Sequence, residues 1–90
     1  MATRIKTADN VLEHQFGEEA VLLHLETEKY YSLNGTAVDM WRALAAAETL
    51  EGAVDSLLTT YDVERAQLEA DLNGLVSALQ EAGMITVETD

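Results

Sequence analysis

The segment Tyr30-Tyr31-Ser32-Leu33-Asn34-Gly35-Thr36-Ala37 marks the point where this 90-residue chain changes from strand to helix. Its first four residues suit a short β-strand, with Tyr31 and Leu33 on one face. Asn34 is then placed to cap a helix, because its side-chain oxygen can accept a hydrogen bond from an amide one turn further on. The segment therefore predicts strands on its N-terminal side and helices on its C-terminal side.

Two more short runs precede this strand, and tight polar breaks separate all three. Residues 11–16 mix β-branched, aromatic and polar types, and Gly17-Glu18-Glu19 follow as a turn signal. Residues 20–26 form an apolar run too short for a typical helix, and residues 27–29 are a second polar break. Three runs with two tight breaks predict an antiparallel meander. In the second run one face would carry Val21, Leu23 and Leu25, and the other Leu22 and His24.

Three apolar stripes at helical spacing follow the strands. We predict that the first helix runs to about Ala47, that Thr49 caps the second and that Asp62 caps the third. Gly83 would end the third helix, because glycine enters the left-handed region without strain. Residues 84–87 form a short extended tail. The stripes are Ala37, Val38, Trp41, Leu44 and Ala45; Leu50, Val54, Leu57, Leu58 and Tyr61; and Leu68, Leu72, Leu75, Val76, Leu79 and Ala82.

The order βββααα predicts an α+β fold. Three strands cannot bury their faces alone, so we expect a three-helix core with the three-stranded antiparallel meander laid against it. This arrangement is winged helix-turn-helix-like. Ninety residues make one domain. We expect a flexible N-terminal tail over residues 1–10 and a single winged-helix domain over residues 11–88.

The charge balance limits the partners of this chain. Seventeen Asp and Glu residues against five Lys and Arg give a formal net charge of −12. Nucleic acid is not an expected partner, because binding it requires cations that displace the counterions of phosphates. Beyond the N-terminal segment the bases are Lys29, Arg42 and Arg65, well separated in sequence. An acidic surface instead favours basic peptides, although the acids could serve solubility alone.

Other classes of protein are excluded by what the sequence lacks. No run of 18 apolar residues is present, so no membrane helix is expected. Residues 1–7 have no apolar segment typical of a signal peptide, which indicates a cytoplasmic protein. The absence of cysteine excludes disulfides and thiolate metal sites. His14 and His24 could share a metal across the first hairpin, but two imidazoles without a third ligand make a poor site.

The sequence shows no catalytic constellation. Nucleophilic catalysis requires a base that converges on a serine or threonine, and both histidines lie on the meander. The triplet Asp55-Ser56-Leu57 matches that of acyl carrier proteins, whose serine holds a phosphopantetheine arm at the start of a helix. Here Ser56 is predicted inside the second helix, so a solvent-facing role suits it better. We therefore expect a protein that is not an enzyme and holds no cofactor.

The third strand is the most informative feature for function. As the last strand of a meander it leaves one row of amides and carbonyls unpaired. An extended peptide that pairs with such an edge gains affinity from main-chain hydrogen bonds and specificity from side-chain pockets. Tyr30 and Tyr31 are of the type favoured at interfaces. The plainer interpretation is that both tyrosines only pack on the sheet.

These elements together resemble PqqD-like domains, the precursor-peptide recognition elements. The resemblance covers roughly residues 11–87. It rests on a strand ending in Tyr-x-Leu-Asn that leads into a helix with a tryptophan, a second helix that ends in tyrosine, and a third helix that closes on Leu-x-x-x-Gly. The matching residues are Tyr30 to Ala37, Trp41, Tyr61-Asp62-Val63, Leu79 to Gly83 and Met84-Ile85.

The resemblance implies a function. Members of this family are non-catalytic and bind the leader of a ribosomally made precursor peptide as an extra antiparallel strand on the third strand, beside the third helix. They then present the leader to a modifying enzyme. A stand-alone domain is similar to the recognition subunit of lasso-peptide pathways, which partners a leader peptidase. On this chain the implied binding residues are Lys29, Tyr30, Tyr31, Ser32, Leu33, Asp71, Leu72, Leu75, Val76 and Leu79.

Three alternatives stay open. Within the family, the chain could be a chaperone for the radical enzyme of a pyrroloquinoline-quinone-type pathway. Outside it, the chain could be a carrier protein modified on Ser56, or a structural subunit that only docks on an enzyme.

Overall fold

A computed structural model of residues 3–89 has the three predicted strands and three predicted helices, with one further strand at each end. The α+β class and the βββααα order of the winged-helix-like prediction are therefore confirmed. In chain order the elements are β1 (Thr3–Thr7), β2 (Val11–Phe16), β3 (Glu19–His24), β4 (Tyr30–Leu33), α1 (Thr36–Ala47), α2 (Leu50–Leu58), α3 (Arg65–Glu81) and β5 (Ile85–Thr89).

The predicted meander is the three-stranded antiparallel sheet β2-β3-β4. A two-residue loop joins β2 to β3, and Gly17 takes the positive φ of 60° that the first central residue of a type II′ turn requires. One face of the sheet is buried, through Ala20 and Leu22 on β3 and Leu33 on β4. Tyr30 lies on the other face and is 71% exposed. The predicted separation of the two tyrosines onto opposite faces is thus confirmed.

Two of the predicted helix caps are correct. The Thr49 side chain accepts a hydrogen bond from the Gly52 amide at 3.1 Å, as an N-cap residue does. At the end of α3, Gly83 has φ 77°, and its amide donates to the Gln80 carbonyl. The next amide, that of Met84, donates to Leu79 at 2.9 Å. This pair of bonds is the Schellman motif that glycine makes possible.

The other two predicted caps are wrong. The N-cap of α1 is Gly35 instead of Asn34, whose carbonyl accepts from the Ala37 amide in the turn before the helix. The N-cap of α3 is Glu64 instead of Asp62, and the Glu64 side chain makes no capping bond. The apolar stripe of α3 begins only at Leu68, so no buried side chain supports a helical turn that starts earlier.

The expected flexible tail is also wrong for the part of it that the structure describes. Residues Thr3–Thr7 form β1, which pairs antiparallel with β5 from the opposite end of the chain. Ile5 is buried, and its amide donates to the Glu48 carbonyl at 2.8 Å. Met1 and Ala2 lie outside the described residues. The folded unit thus begins before residue 11, because β5 supplies the hydrogen bonds of β1.

The core lies between the inner face of the meander and the helices. Trp41 of α1 is buried in it, and its ring N–H donates to the Glu13 carboxylate on β2 at 2.7 Å. None of the helices within residues 3–89 is long and apolar enough to cross a membrane. The buried apolar residues are Ile5, Ala20, Leu22, Leu33, Val38, Met40, Trp41, Leu44, Ala53, Val54, Leu57, Leu68, Leu72, Leu75, Val76, Leu79, Met84 and Ile85.

Candidate functional site

Strand β4 has one open edge. It pairs with β3 along its other edge, and no strand among residues 3–89 pairs with it on the open one. β4 has only four residues, Tyr30–Leu33. A short strand limits uncontrolled pairing with other chains but still offers backbone donors and acceptors to a partner.

Alternate residues of β4 direct their backbone groups towards opposite edges. The His24 amide donates to the Lys29 carbonyl at 2.8 Å, which makes this a hydrogen-bonded pair of the β3–β4 register. Tyr31 is two positions further along and therefore also bonds to β3. The N–H and C=O groups of Tyr30 and Ser32 consequently point outwards. The open edge thus offers two donors and two acceptors at the spacing of an antiparallel strand.

A groove of about 580 Å³ lies between β4, the start of α1 and the middle of α3. A smaller and more apolar pocket of about 210 Å³ borders it and shares Thr36, Met40 and Asp71 with it. The groove is lined by Tyr31, Asn34, Gly35, Thr36, Ala37, Met40, Asp71, Gly74 and Leu75. The pocket adds Leu57, Tyr61, Val63, Gln67 and Leu68. We name these two spaces together the β4–α3 groove.

Gly74 keeps the middle of the β4–α3 groove wide. It lies inside the 17-residue helix α3, where glycine costs about 1 kcal/mol relative to alanine. A Cβ atom placed on Gly74 would meet no atom within 4 Å, so close packing inside the chain does not require glycine here. The missing side chain instead leaves space in the groove. Such space suits the close approach of a bound backbone.

The β4–α3 groove is mainly apolar in its smaller pocket and of mixed polarity in its larger space, and its described lining carries one negative charge. Asp71 is the only charged side chain among its described lining residues, and it is exposed. Its carboxylate accepts a hydrogen bond from Gln67 at 3.0 Å, which holds it at the wall of the groove. Tyr61 donates its hydroxyl to Asp39, and this hydrogen bond raises the pKa of Tyr61 above its usual value. The groove therefore suits a ligand with apolar side chains for the smaller pocket and positive charge near Asp71.

The structure divides the predicted binding residues into three groups. Tyr31, Asp71 and Leu75 line the groove. Lys29, Tyr30 and Ser32 lie exposed at or next to the open edge. Leu33, Leu72, Val76 and Leu79 are buried in the core, so they support the strand and helix from behind.

Sequence reasoning missed the wall that the start of α1 contributes. The missed lining residues of the larger space are Asn34, Gly35, Thr36, Ala37, Met40 and Gly74. A signal for one of them was present, since an isolated glycine inside a strong helical stripe calls for a packing or functional reason. The segment that decides the fold thus also contributes five of the nine residues that line the larger space.

The structure supports neither the shared histidine metal site nor the Ser56 carrier site that the sequence suggested. His14 pairs opposite Val21 and His24 opposite Val11, which places the two imidazoles on opposite faces of the hairpin. No group of three metal-ligating side chains occurs within residues 3–89. Ser56 is exposed in α2, but that helix begins at Leu50, so the serine is not at a helix start.

Comparison with known proteins gives consistent matches. The model of the family described as coenzyme PQQ synthesis protein D (PqqD) matches residues 19–85. The structure of TbiB1 in complex with the TbiA(beta) leader peptide superposes with a TM-score of 0.84 at 30% sequence identity, covering 94% of this chain and 99% of that chain. Lasso peptide synthetase B1 complexed with the leader peptide gives 0.80 at 28% identity, covering 92% and 98%. A search of curated proteins found no match.

Proposed function

This chain belongs to the PqqD family, and from that premise we propose that it binds the leader segment of a ribosomally synthesised precursor peptide. The leader adds as an antiparallel strand to the open edge of β4, beside α3. The observation that carries this proposal is the open edge itself, with the backbone groups of Tyr30 and Ser32 directed away from the sheet. Strand addition uses such groups for affinity and neighbouring pockets for specificity.

The β4–α3 groove supplies the specificity in this proposal. An added strand places every second side chain on the face of the sheet that looks towards α3. There those side chains contact Tyr31, Leu75 and the space left by Gly74. Apolar leader residues fill the pocket around Met40 and Leu68, and a basic residue nearby pairs with Asp71.

Among the predicted binding residues, we assign direct contact to the edge and to two residues of α3. The backbone groups of Tyr30 and Ser32 pair with the leader, and Lys29 lies beside them. The Tyr31 side chain contacts leader side chains in the groove, while Leu33 anchors the end of the strand in the core. Asp71 and Leu75 meet leader side chains. Leu72, Val76 and Leu79 hold α3 in place from the core side.

We further propose that the chain holds the leader for a partner enzyme and performs no chemistry itself. The two matched structures are of proteins bound to leader peptides, and one of them is named as a lasso peptide synthetase subunit. They support a partner from a lasso-peptide pathway, and within that pathway we propose the peptidase that removes the leader. The second candidate is a chaperone in quinone-cofactor synthesis, which the family description favours.

Two labelled peptides separate these candidates. One is a lasso-peptide leader of the TbiA(beta) type, and the other is a precursor of pyrroloquinoline quinone. Fluorescence anisotropy measures both affinities. Tight binding of the lasso-type leader alone supports the first candidate, and tight binding of the quinone precursor alone supports the second.

Amide hydrogen exchange tests the strand addition directly. On addition of the leader, the amides of Tyr30 and Ser32 are expected to become protected, because they gain partners. Glu13 and Gln15, on the open edge of β2, are the internal control and are expected to exchange as before. Leader binding that leaves Tyr30 and Ser32 exchanging at the free rate would rule out pairing at this edge.

A further inference from the structure

The outer face of the meander, on the side away from the core, carries large apolar side chains. Five of them are between 37% and 71% exposed. They lie on the sheet and on the turn that follows β3, and none lines the β4–α3 groove. These residues are Leu12, Phe16, Leu23, Leu25 and Tyr30. We call this surface the outer face.

The sheet register gathers these side chains into one continuous patch. Leu12 on β2 lies directly opposite Leu23 on β3, and Leu23 lies opposite Tyr30 on β4. Residues paired in this way have Cβ atoms about 5 Å apart, so the three side chains form a row across the whole sheet. Phe16 extends the patch along β2 beside His14, with the two ring centroids 5.0 Å apart.

The fold of the chain does not account for this patch. The core uses the opposite face of the same strands, through Ala20, Leu22 and Leu33. The chain has 17 Asp and Glu residues that could occupy exposed positions. On β2, however, the exposed positions include the apolar residues Leu12 and Phe16. Contiguous exposed apolar patches of this kind mark sites of protein–protein interaction.

We propose that the outer face docks the enzyme that acts on the bound leader, through an enzyme surface that is apolar with basic side chains at its border. This inference rests on the proposed function, because it assumes that a leader lies on β4. A leader strand added there lies next to Tyr30, at the edge of the outer face. An enzyme seated on the outer face therefore reaches the leader without entering the β4–α3 groove.

The charges around the outer face favour such a partner over a second copy of this chain. Its border carries Glu18 and Glu19 at one turn and Glu26 and Glu28 at the other, against Lys29. Two copies would bring these carboxylates together on chains that each carry a net charge of −12. Like charges opposed across an interface suppress association, whereas basic residues on a partner are attracted.

A double substitution on β2 tests this inference. Leu12→Lys with Phe16→Lys removes the apolar contact and adds like charge, at two exposed positions that lie two strands away from the leader edge. The probes are the leader-processing enzyme of the chain's own pathway and the labelled leader of that pathway's precursor. We expect the dissociation constant for the enzyme to rise at least about tenfold, because both side chains lie inside the patch. Leader affinity is expected to stay within about twofold, since exposed sites away from an interface contribute little.

Val63→Lys is the matched control. Val63 is also exposed, but it lines the apolar pocket of the β4–α3 groove. It is expected to weaken leader binding and to leave enzyme affinity unchanged. If the two surfaces are separate, the double variant weakens only enzyme binding and Val63→Lys weakens only leader binding.

Three other experimental outcomes would each contradict one part of the proposal. Enzyme affinity that is unchanged in the double variant, or absent in the wild type, overturns the docking surface. A wild-type dimer in sedimentation that the double variant dissociates assigns the outer face to a second copy instead. Failure of the wild type to bind the leader refutes the proposed function, while the enzyme titration still decides whether the outer face docks an enzyme.

Discussion

The two edges of the three-stranded sheet differ in what lies beside them. Strand β2 has six residues and β4 has four, and each leaves one edge open among residues 3–89. Beside β4 lies the β4–α3 groove, with Leu75 in its wall. The inward face of β2, which looks towards the core, carries Glu13 and Gln15 instead. The Glu13 carboxylate accepts a hydrogen bond from the ring N–H of Trp41 at 2.7 Å.

The longer edge, that of β2, is therefore the one less suited to strand addition. The Leu25 amide donates to the Asn10 carbonyl at 2.8 Å, which fixes the phase of the β2–β3 register and leaves the backbone groups of Glu13 and Gln15 pointing outwards. Both edges thus present backbone donors and acceptors. A charged side chain on the inward face of an edge strand discourages pairing. The pocket that borders Gln15 on β2 is lined by three charged residues, Glu18, Asp39 and Arg42, whereas the described lining of the β4–α3 groove has only Asp71. The proposed preference for β4 therefore depends on the character of the space beside the edge, because the backbone alone does not distinguish β2 from β4.

Filling the groove is expected to have the largest effect on leader binding. Gly74→Trp places an indole in the space beside β4, and the helix tolerates it because tryptophan favours helix more than glycine does. We expect leader affinity to fall about 100-fold, corresponding to about 2.7 kcal/mol of binding free energy. Anisotropy titration with the labelled leader measures it.

Asn73→Trp is the control for this substitution. Asn73 is exposed on α3 but turned about 100° away from Gly74, outside the groove. Its leader affinity is expected to equal that of the wild type. Equal affinity in both tryptophan variants would show that the leader binds elsewhere.

Removing one backbone donor from each edge compares the two edges directly. Ser32→Pro and Gln15→Pro each delete an outward N–H without deleting a hydrogen bond to β3, so both are expected to cost similar stability. Only Ser32→Pro is expected to weaken leader binding, by about tenfold, because one main-chain bond is lost and the ring crowds the added strand. Thermal melts and the same titration measure both properties. A larger loss of affinity in Gln15→Pro would transfer the proposed site to β2.

Charge in the groove is expected to contribute less. Asp71→Asn removes the negative charge but keeps the size of the side chain, and we expect leader affinity to fall about threefold at low salt. The difference from the wild type should shrink as ionic strength rises, because salt screens exposed charges. Glu81→Gln, at the far end of α3, changes the net charge equally and is the control. Equal effects of the two substitutions would indicate only general attraction between the acidic chain and a basic peptide.

Much of this fold was predictable because its signals are local. The strand bounds of β2 and β4 and the end of α1 follow from turn residues and apolar spacing within a few positions. The Thr49 cap and the Gly83 turn were found for the same reason. The cap of α1 was missed because Gly35, next to Asn34, also suits an N-cap position. The cap of α3 was missed because the start of that helix follows its buried stripe, which begins at Leu68, and not the capping preference of Asp62.

The site was predictable only in part, because it depends on contacts between distant segments. Strand β1 has one buried apolar residue, Ile5, and its partner β5 is at the other end of the chain. No local pattern could indicate that pairing. Similarly, the predicted list for α3 named Leu72 and Leu79, which face the core. The stripe shows that one side of a helix is buried, but only the packing of α1 against the sheet shows which flank borders a groove.

A substitution remote from both edges is expected to alter stability alone. The Glu51 carboxylate accepts a hydrogen bond from the Thr3 amide at 3.0 Å and so ties β1 to the start of α2. This bond is the main reason that the pKa of Glu51 is lowered from its usual value of 4.5. Because the folded-state pKa is lowered, the stabilisation is fully present above pH 4.5 and is lost as pH falls through the folded-state value.

Glu51→Gln tests this statement with Glu81→Gln as the matched control. At neutral pH the Glu51→Gln variant is expected to melt slightly below the wild type, and the difference should close as acid protonates the wild-type carboxylate. Leader affinity at neutral pH is expected to be unchanged, because neither Glu51 nor β1 lines the β4–α3 groove. A fall in leader affinity would mean that the β1–β5 ribbon influences the β4 edge, and the contrast between β2 and β4 would then no longer explain leader binding by itself.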